Sequence, residues 1–124
     1  MNVIAISASL NSSMAMVRGS APSIPEGTYR QMSVSTNIDG CPGARLTVKV
    51  REPGVIVVTT SGGGQGVARY NADQNAYVGQ FKWPADGATR NSDIVVATAM
   101  FLQNGVLTVS ARSRALDFAA QYRQ

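Results

Sequence analysis

The sequence offers few residues that could carry covalent or acid–base chemistry. It has no histidine and one cysteine, Cys41, which excludes Ser-His and Cys-His nucleophile pairs and the commonest zinc ligands. The seven acidic residues are scattered, and no two lie within four residues of each other on one predicted element, so no carboxylate pair for glycoside hydrolysis is indicated. We therefore expect no enzyme activity, no cofactor, no metal site and no small-molecule substrate.

A glycine-rich run at residues 61–66, SGGGQG, is the segment closest to a phosphate-binding loop. It lacks the Gly-Lys-Ser/Thr ending of that motif, and it joins two predicted strands instead of opening a helix. We interpret it as a flexible connecting loop made of Ser61, Gly62, Gly63, Gly64, Gln65 and Gly66.

A basic, polar sheet face remains as the candidate site. Residues 45–51, RLTVKVR, alternate strictly between apolar and polar side chains, which predicts a strand with one packed and one wet side. Lysine and arginine neutralise phosphates, and short polar side chains reach the base edges of unpaired nucleotides. A plain solvated face is the alternative at this level. The candidate RNA-binding residues are Gln31, Ser33, Ser35, Arg45, Thr47, Lys49, Arg51, Gln80 and Lys82.

The elements that would carry this face suggest one domain spanning residues 1–124. An N-terminal hairpin at 1–19 is followed by an antiparallel sheet at 28–83 that includes the strands 28–36, 55–60 and 76–83. On strand 28–36, Tyr29, Gln31, Ser33 and Ser35 are predicted to share one face, and Arg30, Met32 and Val34 the other. The net charge of +4 is weak support for a polyanionic partner. No apolar run is long enough to predict a membrane span, and the N-terminus is a poor match to a signal peptide.

The last 40 residues allow two interpretations. Asn104-Gly105 between apolar runs is a strong hairpin signal. The same segment also fits two helices, at residues 92–104 and 110–122. In the first, Ile94, Ala97, Thr98, Phe101 and Leu102 would form the helical apolar stripe.

The order of these segments resembles the coat proteins of small single-stranded RNA bacteriophages. TYRQMSVSTNIDGCPGARLTVKVREP is similar to the central strand pair of that family, and VIVVTT, SGGGQG and the strand ending in FKWP resemble its next strands and their connecting loop. ATRNSDIVVATAMFLQNG followed by ALDFAAQY resembles its two closing helices.

The resemblance implies an α+β fold: an N-terminal β-hairpin, a five-stranded antiparallel meander and two C-terminal helices that interlock a dimer. It implies that dimers assemble into an icosahedral shell, with the 61–66 loop between dimers. The wet sheet face would bind genomic RNA and an operator hairpin that represses translation. The protein would then reside in the virion after assembly in the bacterial host cytoplasm. Cys41 could cross-link subunits or be an ordinary loop residue.

The alternative is a lipocalin-like small β-barrel that binds an apolar ligand or inhibits an enzyme. It takes the hairpin interpretation of residues 94–113 and treats Gly27-Thr28-Tyr29 as the start of the barrel. The helix content of the C-terminal third distinguishes the two.

Overall fold

The computed structural model describes residues 21–88 and 90–124. The fold of this part of the chain follows from the alternation of inward apolar and outward polar residues. Eight antiparallel strands form a closed barrel in which each strand pairs with the next and the last pairs with the first. The strands are β1 Gly27–Thr36, β2 Arg45–Glu52, β3 Val55–Thr60, β4 Gln65–Asn71, β5 Ala76–Trp83, β6 Ile94–Gln103, β7 Val106–Arg112 and β8 Asp117–Arg123.

Side chains fill the interior of the barrel. Trp83 and Tyr122 are fully buried, and Tyr29 is 1 % exposed. The rings of Trp83 and Phe118 pack edge to face, with centroids 5.7 Å apart and planes at 71°. An eight-stranded barrel is just wide enough for its inward side chains to fill it. The other interior residues include Leu46, Val48, Ile56, Val58, Ala68, Phe81, Val96, Met100, Leu107, Val109 and Ala120.

The predicted helices at residues 92–104 and 110–122 are wrong, because these segments form β6, β7 and β8. Every second residue from Ile94 to Met100 is buried, which is the period of a strand. The supposed helical stripe divides between two faces: Ile94 and Thr98 are buried, whereas Ala97 and Phe101 are exposed. The α+β class and the interlocking of two chains through these helices are therefore corrected to an all-β barrel.

The hairpin interpretation of this segment is confirmed, and the turn at Asn104-Gly105 has the geometry that a hairpin needs. Both residues have positive φ, 54° and 78°, as a two-residue hairpin turn that matches the twist of its strands requires. In β8, Phe118, Ala120 and Tyr122 are buried and their neighbours exposed. The helix signal had come from apolar residues on both faces of β6 and from alanines in β8, which local patterns assign equally well to a helix.

The sheet predicted at residues 28–83 corresponds to β1–β5, which follow one another as antiparallel neighbours. The small β-barrel of the alternative interpretation is thus present, although its interior is filled. The predicted hairpin at 1–19 lies outside the described residues. No helix in the described part of the chain is long and apolar enough to cross a membrane.

Glycines of the 61–66 run have a packing role within the barrel. Gly64 is buried, and a Cβ there would lie 2.6 Å from Nε1 of Trp83. A Cβ on Gly62 would meet the carbonyl oxygens of Gly40 and Pro42. Only residues without side chains let the chain approach the Trp83 indole and these carbonyls so closely.

Gly64→Ala should therefore lower the free energy of unfolding by about 2–3 kcal/mol, because the new methyl group overpacks the Trp83 indole. Gly40→Ala is the matched control: nothing lies within 4 Å of its Cβ position, so it should cost only the left-handed strain of its φ of 85°, about 1 kcal/mol. Denaturant unfolding measures both values. Equal losses in the two variants would contradict this packing.

Candidate functional site

The loop between β1 and β2, residues 37–44, folds into one mouth of the barrel. Cys41, Pro42 and Gly43 are buried there, and the Cys41–Pro42 peptide bond is cis. The carbonyl oxygen of Pro42 accepts hydrogen bonds from Thr60 Oγ1 at 2.6 Å and from Trp83 Nε1 at 3.2 Å. Inward side chains of β3 and β5 thus hold the loop by its backbone.

The next carbonyl, of Gly43, is held in the same way from β1 and β8. Tyr122 donates its hydroxyl to this oxygen at 2.6 Å, and Gln31 donates Nε2 at 3.1 Å. Burial raises the pKa of the Tyr122 phenol, so it stays a donor over the neutral pH range. Gln31 is therefore part of the closed mouth and does not share the outer face with the other candidate residues.

Arg90 joins the loops around this mouth. Only 8 % of it is exposed. Its Nε donates to the carbonyl of Pro84 at 2.8 Å, and its Nη1 lies 3.5 Å from Sγ of Cys41. Its Nη2 contacts the Asp86 carboxylate at 3.6 Å and the Gly62 carbonyl at 3.4 Å. Burial raises the pKa of the Cys41 thiol, an effect that the nearby guanidinium partly opposes.

Because residues 37–44 enter the mouth, β1 and β2 separate early. Their ladder ends at Arg30 and Arg45, apart from one further bond from the Gln31 N–H to the Ala44 carbonyl at 2.9 Å. A bulge between Gln31 and Ser33 shifts the register of β1 against β8 at the same point. Bulges of this kind bend a strand and re-aim its side chains.

Three arginines form a row across the outer face where the strands separate. Arg30 is the direct cross-strand partner of Arg45 on β2 and of Arg123 on β8. All three are exposed, and each is followed or preceded by a buried residue of its strand. Like charges placed directly opposite each other in a sheet are destabilising, so this row has an electrostatic cost in the free protein.

Further along β2, Thr47 and Lys49 lie on the same outer face as Arg45, and Arg51 is exposed at the register shift that follows Val50. We call this set the basic face. Among the described residues, none of its basic groups forms an ion pair; the two ion pairs there are Lys82–Asp93 and Arg90–Asp86. Of the acids near this face, Glu26 accepts the N–H of Val50 at 2.6 Å, and Glu52 follows Arg51 directly on β2. The basic face consists of Arg30, Arg45, Thr47, Lys49, Arg51 and Arg123.

The remaining sequence-predicted residues lie elsewhere. Gln80 and Lys82 are on β5, three strands from β2, and Lys82 contacts Asp93 at 3.3 Å. The N–H of Ala85 and then Lys82 lower the pKa of the Asp93 carboxyl. Ser33 and Ser35 face outwards beyond the bulge, paired with Gln121 and Ala119 on β8. The structure therefore brings Arg45, Thr47, Lys49 and Arg51 together and separates the other five.

Sequence reasoning missed two members of the basic face. Simple alternation put Arg30 on the face opposite to Tyr29, Gln31, Ser33 and Ser35. Tyr29 and Gln31 do face inwards, but the bulge after Gln31 puts Ser33 and Ser35 on the outer face with Arg30. Arg123 follows directly on the predicted helix at 110–122 and was not assigned to a sheet. Its alternation with Tyr122 was visible, but its position beside Arg30 depends on the β8–β1 pairing that closes the barrel, which no local pattern encodes.

Comparison with known proteins adds no assignment: no family model, no curated protein and no solved structure matches this chain. Within the described residues there is no group of three or more histidine, cysteine or carboxylate side chains that could hold a metal ion. The candidate site is thus the basic face, and its chemistry is that of exposed guanidinium, ammonium and hydroxyl groups.

The arginine row predicts an unusual stability effect. Arg30→Thr should raise the free energy of unfolding at low ionic strength by about 0.5 kcal/mol, because it removes the central member of three like charges. Added salt should shrink the gain, since exposed charges are screened. Arg69→Thr, an exposed arginine opposite Val55 and Val78, is the control and should give no such gain. A salt-independent loss of stability in Arg30→Thr would contradict the repulsion.

Proposed function

We propose that this protein is a non-catalytic β-barrel that binds the phosphate backbone of single-stranded RNA on its basic face. The observation that carries the proposal is the row of Arg123, Arg30 and Arg45, three cross-strand neighbours without an ion pair to any described residue. A surface that keeps an unfavourable like-charge arrangement is suited to a partner that supplies the missing negative charge. Arginine suits phosphate because its planar guanidinium presents two parallel donors.

The shape of the basic face favours an elongated polyanion over a single phosphate group. The row crosses three strands and therefore spans about 10 Å at the usual strand spacing. Lys49 and Arg51 continue along β2, about 13 Å and 20 Å from Arg45 at the rise of a strand. Thr47 adds a hydroxyl between the charges, next to Thr28 and Thr59 on the flanking strands. No aromatic ring lies in this set, so phosphate contacts and not base stacking would dominate binding.

The RNA partner is retained from the sequence pattern, but the shell-forming role is not part of the proposal. That role, and with it a place in the virion, depended on two helices that would cover a second chain. The corresponding segments are strands of the barrel.

The lipocalin-like alternative agrees with the general shape of the barrel, but the filled interior gives little support to its proposed binding of an apolar ligand. An internal apolar ligand would have to occupy the space taken by Trp83, Tyr29 and Tyr122, which are at most 1 % exposed. No particular contact among the described residues favours inhibition of an enzyme.

Fluorescence anisotropy with a short labelled single-stranded RNA tests the proposal. Binding should weaken steeply with salt, and the slope of log K against log salt should be about −3.5 if all five basic residues contact phosphates. Replacing Arg30 and Arg45 together by glutamine should make the slope less steep by about 1.4.

The charge-matched control replaces Arg69 and Arg112 by glutamine, two exposed arginines on β4 and β7. It should bind RNA like the unmodified protein. The proposal fails if the unmodified protein does not bind at low salt, or if both double variants lose the same affinity.

A further inference from the structure

The outer half of β1, residues 32–36, has an edge with which no other described segment pairs. The β1–β2 ladder stops at Arg30 and Arg45, and the loop that follows turns into the barrel mouth. Residues 33–36 remain paired with β8 on one side only. We propose that a second copy of this chain pairs with this edge, so that the two β1 strands run antiparallel about a two-fold axis at Val34. This inference does not depend on RNA binding.

The register identifies which backbone groups are free to pair. Asn37 donates its N–H to the carbonyl of Asp117 at 3.1 Å. In an antiparallel ladder the hydrogen-bonded positions alternate, so Ser35 and Ser33, opposite Ala119 and Gln121, also bond to β8. Val34 and Thr36 consequently point their N–H and C=O groups towards the open edge.

Side-chain exposure agrees with an uncovered edge. Val34 lies opposite the buried Ala120 and so belongs to the inner face of the sheet, yet it is 43 % exposed. Met32, at the bulge, is 54 % exposed. Both side chains lose contacts because β2 does not continue beside them, and a strand placed there would cover them.

The edge carries none of the side chains by which proteins usually block edge pairing, and the bulge lies only at its start, before Ser33. Such edges commonly carry lysine, other charged residues or proline. The segment 32–36, MSVST, has none of them. Its β-branched and hydroxyl side chains are suited to a strand.

The segment is also complementary to itself. With Val34 on the two-fold axis, each Val34 faces the Val34 of the second copy, Met32 faces Thr36, and Ser33 faces Ser35. The valines then extend the inner face, and the serine pairs extend the outer one; hydroxyl pairs and apolar pairs across strands are favourable. Hydrogen bonds between facing Val34 residues satisfy two donors and two acceptors at the axis.

Charge placement favours this occupant too. Arg30 is already flanked by Arg45 and Arg123, so the new ladder is confined to residues 32–36 of each copy. These residues carry no charge, and no arginine meets an arginine across the axis. The arginine rows of the two copies lie on either side of it. The two outer faces then join into one continuous surface.

Sedimentation velocity over a range of concentrations tests the association. The full chain should show a reversible dimer. Val34→Lys should weaken dimerisation at least tenfold, because two ammonium groups would meet at the axis. Val95→Lys is the matched control, since Val95 is 60 % exposed on β6, and it should dimerise normally.

Cross-linking locates the axis directly. Val34→Cys should form a disulfide-linked dimer on mild oxidation, because facing residues of a hydrogen-bonded antiparallel pair have Cα atoms about 5.5 Å apart, within disulfide range. Val95→Cys should not, and Cys41 is buried in both variants. A chain that stays monomeric at high concentration overturns the inference. A dimer that Val34→Lys leaves intact, with no cross-link through Val34→Cys, overturns it as well.

Discussion

Two backbone carbonyls, of Pro42 and Gly43, organise this barrel. They accept four hydrogen bonds from Thr60, Trp83, Tyr122 and Gln31, side chains that come from β3, β5, β8 and β1. Each such bond contributes about 1 kcal/mol net, and leaving buried donors or acceptors unpaired costs more. The β1–β2 loop is thereby held inside the mouth, where Gly62 lets a neighbouring backbone approach it closely.

The surface features follow from the path of this loop. A chain that must enter the mouth cannot continue the ladder beyond Arg30 and Arg45. Early separation leaves the segment 32–36 without a described neighbour on one edge. The bulge at the same place puts Ser33 and Ser35 on the outer face, whereas Gln31 faces inwards to Gly43. The early separation also leaves Arg30 between Arg45 and Arg123 at the seam of the barrel. The proposed RNA-binding face and the proposed dimer edge are therefore neighbours with one structural cause.

Local patterns predicted the strands of the first two-thirds of the described chain well. Residues 45–51 and 55–60 alternate or are β-branched, and β2 and β3 occupy those positions. The C-terminal third was missed because β6 is apolar on both faces and β8 is rich in alanine, so a helix fitted equally well. Four of the nine candidate site residues share the basic face. Gln31, Ser33 and Ser35 were misplaced because the bulge in β1 and the hydrogen bond from Gln31 to Gly43 depend on long-range contacts. Gln80 and Lys82 were misplaced because β3 and β4 separate β5 from β2 in the barrel.

Amide hydrogen exchange by NMR on the monomeric protein tests the central claim most directly, namely that loop insertion opens the β1 edge. Alternate residues should differ: the amides of Ser33 and Ser35, bonded to β8, should be protected, whereas those of Val34 and Thr36 should exchange rapidly. Such alternation requires a strand that is paired on one side only. Equal, strong protection of all four amides in the monomer would show that another segment covers the edge, and it would contradict the account.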